Sequence, residues 1–221
     1  NVFNACATAA SAIQQTADTI RLGKYDLGIA IGLDKHPRGA FTDDPAKLAL
    51  PQWYAENGQF VTTKFFGMKA NHYLHKHGIS EETLARVANK NFRNGALNPN
   101  AFRRKEISID EIMASPVLNY PLRQYMFCAP DEGAAAVIMC RGDIAHKFTD
   151  KPVFVRASEI RTRTHGAYEV HATSAPLDED VSPTVYAARA AYEAAGIGPE
   201  DVDVAQLQDT DAGAEVIHMA E

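Results

Sequence analysis

The sequence has few residues of the kinds that define the special protein classes. Three cysteines in 221 residues, an odd number at irregular spacing, argue against a disulfide framework and for a reducing compartment. No stretch approaches the roughly 18 consecutive apolar residues of a membrane-spanning helix. No basic, apolar, small-residue leader is evident, so a cytoplasmic location is expected. Net charge is -6, without the basic excess that nucleic-acid binding requires. What is present, 46% hydrophobic and 23% charged residues, is the composition of an ordinary globular protein of one or two domains.

Charge is unevenly distributed. Arg86, Lys90, Arg93, Arg103, Arg104 and Lys105 form a basic strip without an intervening acid, whereas Pro176–Glu221 is rich in acids with Arg189 as its one Lys or Arg. Such a strip is either a solvated face or a docking surface for a small polyanion. His72, His75 and His77 invite a metal reading. His72 and His75 share a helix face, but His77 points elsewhere and no Cys or carboxylate completes a set, so a surface helix is expected and no metal.

The stretch Asn1–Lys35 organises the chain. Apolar positions at Ala10, Ile13, Ala17 and Ile20 predict a helix ended by Gly23, and Tyr25–Leu33 predicts a buried strand. Cys6 then falls at a helix start, where unpaired N–H groups and the helix dipole favour a thiolate. A small buried filler is the alternative. His36–Phe60 reads as an irregular excursion. Lys64–His77 has helical spacing through Phe65, Met68, His72 and His75, with Gly78 as C-cap. Ser80 and Thr83 suggest a capping box for the next helix. Ser108–Ser115 and Gly142–Asp150 read as short helices. Pro152–Thr162 and Asp201–Leu207 read as strands, and Gly133–Cys140 as a strand covered on both faces. Ser182-Pro183 opens a helix closed by Gly196, with Val185, Ala188, Tyr192 and Ala195 on its apolar stripe. Gln208-Asp209-Thr210-Asp211 turns off the expected last strand, the kind of strand end where open α/β sheets place their chemistry.

Asn4-Ala5-Cys6-Ala7-Thr8 with the following helix and GIAIGLDK resembles the nucleophile segment of the thiolase superfamily. The wording is nearest the sterol-carrier-protein-x and lipid-transfer-protein branch. Phe66-Gly67, Asn94–Pro99, Ser108–Ser115 and Cys128–Gly133 resemble further pieces of that branch. The resemblance implies a layered α/β/α/β/α fold of two repeated halves, incomplete at both ends. Residues 1–150 would be the remainder of the first half, with an inserted loop domain at about 37–120, and 151–221 the start of the second. Cys6 would be the nucleophile and Phe66 and Gly67 would line the acyl-CoA site. The basic strip, Arg103 and Arg104 in particular, would meet the phosphates of coenzyme A. Cys128, on the substrate-side loop, reads more as packing than as chemistry.

At the turn after DVDVAQL the branch carries His-Asp-Cys-Phe, and here only Asp209 is retained. Gln208 can donate a hydrogen bond but cannot exchange a proton near neutrality. That departure resembles the steroid side-chain aldolases of the superfamily. These cleave a β-hydroxyacyl-CoA to a 17-keto steroid and propionyl-CoA beside a small OB-fold partner subunit. The resemblance makes Tyr168 the candidate acid/base, with His165 or His171 as replacements and Gln208 and Asp209 beside it. It also implies a homodimer and no cofactor beyond the coenzyme A of the substrate. The alternatives are an acyl-CoA thiolase of the sterol-carrier type and a non-catalytic acyl-CoA or lipid carrier.

Overall fold

The computed structural model describes residues 1–35, 45–48, 51–56, 62–162 and 181–221. The elements in chain order are α1 (Thr8–Arg21), β1 (Leu27–Lys35), α2 (Trp53–Glu56), α3 (Thr62–His77), α4 (Glu81–Leu97), α5 (Ile109–Ala114), β2 (Val117–Asn119), β3 (Leu122–Arg123), β4 (Glu132–Cys140), α6 (Pro183–Ala195) and α7 (Ala212–Ala220). The described residues divide into two compact units, one from 1–35, 131–162 and 181–203, the other from 45–130 and 204–221.

In the first unit β1 and β4 pair antiparallel along their whole length, from Leu27 opposite Cys140 to Lys35 opposite Glu132. The period-2 alternation of β1 puts Gly28, Ala30 and Gly32 toward α1 and Leu27, Ile29, Ile31 and Leu33 away from it. The small residues permit a close approach: a Cβ on Gly28 would lie 2.7 Å from Thr16 Cγ2. Ser11, Ala17 and Ile20 of α1 are buried, while Ala10 is exposed. Leu22 follows α1 and Gly23, at φ 70°, ends it as its position in the sequence predicts.

The strand expected to be covered on both faces is not. Glu132–Met139 is largely open, with Ile138 72% exposed, because α1 lies over one side of this two-stranded sheet. The strands expected at 152–162 and 201–207 are also absent. Val153–Val155 and Val202–Val204 have the apolar content of strands but find no pairing partner among the described residues, and a short helical turn at Pro199–Asp201 occupies the start of the second. Apolar content is necessary for a strand; a partner is what makes one.

The second unit holds the larger core. Ala70 and Leu74 of α3, Leu84, Ala85, Ala88 and Phe92 of α4, Ile112 of α5, Leu122, Met126, Phe127 and Ala212 of α7 form one cluster with Ile107. α3 buries Thr63, Phe65, Gly67, Ala70 and Leu74, so Met68, His72 and His75 lie on its exposed face, in keeping with the surface helix expected for the histidines. The small residues decide this. A Cβ on Gly67 would come within 3.0 Å of Asn119, and one on Gly213 within 2.7 Å of the Ala70 methyl, so α3 docks where its surface is flattest. Ser108 caps α5 by accepting from the Glu111 N–H at 3.1 Å. Ser80 makes no such bond; its hydroxyl meets Thr83 Oγ1 at 3.4 Å, so the expected capping box does not form.

Candidate functional site

Cys6 sits in a single 3-10 turn, Ala5–Ala7, that runs directly into α1, and it is exposed. Asn4 braces that turn. Its backbone N–H donates to Thr8 Oγ1 at 2.9 Å and its side-chain amide donates to Ser11 Oγ at 3.0 Å, while its carbonyl accepts from the Ala7 N–H. Ser11 in turn donates to the Ala7 carbonyl. A thiol held on a braced helix entry and open to solvent has the placement of a nucleophile.

The second unit carries a polar corner at the entry to α7. Asp211 is the N-cap: Oδ1 accepts from the Ala214 N–H at 3.0 Å. The residue is 2% exposed, and Oδ2 meets no donor among the described residues. Burial pushes its carboxyl up to about 6, opposed by the N–H groups of Ala214 and Gly213 and by the charges of Lys69 and His218. The segment 127–128 grips the turn from outside. Phe127 bridges Asp211 as an antiparallel pair, and the Cys128 N–H donates to the Thr210 carbonyl at 2.9 Å.

Cys128 is exposed, not packed as the sequence suggested. Local desolvation, then the charge of Asp209, raises its thiol, with Arg103 opposing and Asp211 adding to the rise. It is thereby kept as a thiol rather than a thiolate near neutral pH. Arg103 is half-buried; it donates to the Phe127 carbonyl at 3.2 Å and lies 5.7 Å from the Phe92 ring centre. Arg104 is exposed. Phe66 stands edge-on to Phe127 at 6.3 Å. The second unit therefore gathers Phe66, Arg103, Cys128 and Asp209 around one segment, with Gln208 exposed on the same turn. Gly67 has a packing role against Asn119 and Tyr120. Tyr168, His165 and His171 lie outside the described residues.

Within the basic strip, much of the charge is spent internally. Arg86 pairs with Glu82 at 2.7 Å, Lys105 with Glu111 at 3.8 Å, and Lys90 with Glu215. Glu215, on α7, is 6% exposed; its second oxygen accepts from the Asn91 side-chain amide at 2.8 Å. The same amide nitrogen reaches Asp209 Oδ2 at 3.4 Å. Asn91 and Glu215 were not singled out by sequence reasoning, and Lys90 and Asp211 entered it only as members of the basic strip and of the 208–211 turn. The available signal was an acid beside the apolar stripe of the DAGAEVIHMAE helix, which only a partner from elsewhere could neutralise. Among the described residues no group of three or more His, Cys, Asp or Glu is placed to hold a metal ion. No helix among them is long and apolar enough to cross a membrane.

Residues 1–143 match the family described as thiolase, N-terminal domain. The chain is 32% identical over 219 residues to the benzoylsuccinyl-CoA thiolase subunit BbsB of Thauera aromatica, covering 99% of this chain and 55% of that protein. It is 29% identical over 221 residues to sterol carrier protein 2 of Oryctolagus cuniculus, covering 95% of this chain and 40% of that one. In fold it is similar to the Ltp2-ChsH2(DUF35) aldolase, with a TM-score of 0.81 at 18% identity, over 96% of this chain and 55% of that one. The chain spans about half the length of the curated relatives it matches. The braced Cys6 turn, the α1–β1 unit and β4 all fall inside the matched region, and the chain belongs to the thiolase superfamily.

Proposed function

We propose that this chain is part of a thiolase-fold carbon–carbon lyase that cleaves a β-hydroxyacyl-CoA steroid side chain to a 17-keto steroid and propionyl-CoA. The observation that carries the reading is the turn 208–211, where an amide and two carboxylates stand and no imidazole does. A thioester condensation in the sterol-carrier manner uses a histidine there, and Gln208 offers only a hydrogen bond. Retro-aldol cleavage tolerates the exchange. A base removes the proton of the tertiary hydroxyl, the bond from the carbinol carbon to the α-carbon breaks, and the ketone forms. The electron pair passes into the thioester as its enolate, which is then protonated at the α-carbon to give propionyl-CoA.

In this scheme Gln208 donates to the enolate oxygen, Tyr168 moves the proton, and Asp209 orders the turn. Phe66, Cys128 and His165 line the substrate, and Arg103 and Arg104 face the coenzyme A phosphates. Coenzyme A enters as part of the substrate, no other cofactor is required, and the working form is a homodimer joined by a small OB-fold subunit. The similarity in fold to the Ltp2-ChsH2(DUF35) aldolase supports this reading.

The exposed Cys6 and the similarity to a subunit named as a thiolase favour a second reading, acyl transfer to coenzyme A. The test is a 17-hydroxy-steroid propionyl-CoA given to the protein at its full natural length, with the OB-fold subunit, with and without free coenzyme A. Ketone release independent of free coenzyme A is expected. Inertness toward this substrate, with coenzyme A-dependent cleavage of a β-ketoacyl-CoA to a shortened acyl-CoA, establishes the thiolase instead, and binding without turnover of either establishes a carrier. Tyr168→Phe is expected to lower kcat by about 100-fold or more; unchanged turnover would remove Tyr168 from the site.

A further inference from the structure

The turn 208–211 lies outside any helix or strand, and the Cys128–Thr210 hydrogen bond fixes its backbone without touching the Asp209 side chain. We propose that Asn91 of α4 is a positioning residue for Asp209, its side-chain amide aiming the Asp209 carboxylate from a buried anchor on α7. The inference rests on the reading above, in which that turn is part of the reaction site.

The argument is one of donor geometry. A carboxamide nitrogen has two N–H groups in one plane, so fixing one fixes the other. Asn91 gives the first to Glu215 Oε2 at 2.8 Å, a charge-assisted bond to a carboxylate that is itself buried and paired to Lys90. The second N–H is thereby directed at Asp209 Oδ2, 3.4 Å away. α4 is among the best-packed elements of the unit, with Leu84 and Ala85 fully buried and Ala88 and Phe92 nearly so. Lys90 and Asn91 thus carry the rigidity of that helix to an exposed carboxylate on an irregular segment. A group 1 Å out of place is enough to slow a positioned reaction by about 100-fold, and a loose Asp209 would have that freedom.

Two measurements test this. Selective amide labelling of asparagine in the full-length protein reads the contact without any reaction: the two Asn91 side-chain N–H signals are expected to move in Asp209→Ala. Signals that stay in place overturn the proposal. A double-mutant cycle then reads the consequence. Asn91→Ala is expected to lower kcat about tenfold in the wild-type background with KM little changed, and to add little in the Asp209→Ala background. Equal losses in both backgrounds would make Asn91 a structural staple and overturn the proposal. Lys90→Gln, which loosens the Glu215 anchor, should lower kcat in the same direction as Asn91→Ala but by a smaller factor, and should likewise add little in the Asp209→Ala background. If the asparagine signals move while the wild-type protein cleaves no β-hydroxyacyl-CoA, the positioning contact stands and the lyase reading falls.

Discussion

Asp211 has two oxygens in unlike surroundings. One caps α7 through the Ala214 N–H, and the other is buried without a donor, so burial raises the carboxyl from 3.8 to about 6. The folded state therefore holds this proton more tightly than the unfolded chain. The stability it contributes is complete below about pH 4 and is lost as pH rises through about 6, by an amount on the order of 2–3 kcal/mol. Urea unfolding followed from pH 4 to pH 8 should show that decline, and Asp211→Asn, which keeps an acceptor for the cap, should flatten it. Cys6 makes the complementary prediction. In the lyase it forms no bond to substrate, so Cys6→Ala should retain most of the kcat, whereas an acyl transferase would lose at least about 1,000-fold; steady-state assay of the two reactions decides. At this scale the sequence was half legible. Cys6 announces itself by standing before a helix, but the pairing of Lys90 with Glu215 spans 125 positions and leaves no local mark.

The elements owe their ends to caps that the sequence displays and their faces to neighbours that it does not. Ser108 and Ser182 accept the N–H bonds expected of them, and Gly78 and Gly196 take the left-handed conformation after α3 and α6. The buried stripe of α3 is different. After Phe65 it follows Gly67, Ala70 and Leu74 and leaves Met68, His72 and His75 outside, because α7 and the β2–β3 turn approach closely only where side chains are small. Gly213→Val should accordingly force α7 off α3 and cost about 2–3 kcal/mol, read as a lower midpoint in urea. Its effect on activity should exceed that of an exposed change on the same helix such as Met219→Ala, since Gly213 adjoins the Asp211 cap.

On the scale of the whole molecule, the two units differ in how much core each owns. The second has a continuous cluster reaching from Ala70 to Ala212, while the first buries mainly Ala17, Ile20, Ala30 and Ala195 and leaves Ile29, Ile31 and Ile138 open. Backbone hydrogen exchange should therefore be slowest in α4, around Leu84–Ala88, and faster by at least about tenfold in β1 and β4; equal protection would show that something covers the open face of that sheet. Composition, helix periodicity, capping residues and the wording around Cys6 and Ser108 were determined by the sequence alone, because each depends on residues a few positions apart. The tertiary structure decided which apolar runs became strands, which face of α3 was buried, and that Asn91 stands between Glu215 and Asp209. Those outcomes depend on what a distant segment brings alongside, and no local pattern encodes a partner more than a hundred residues away.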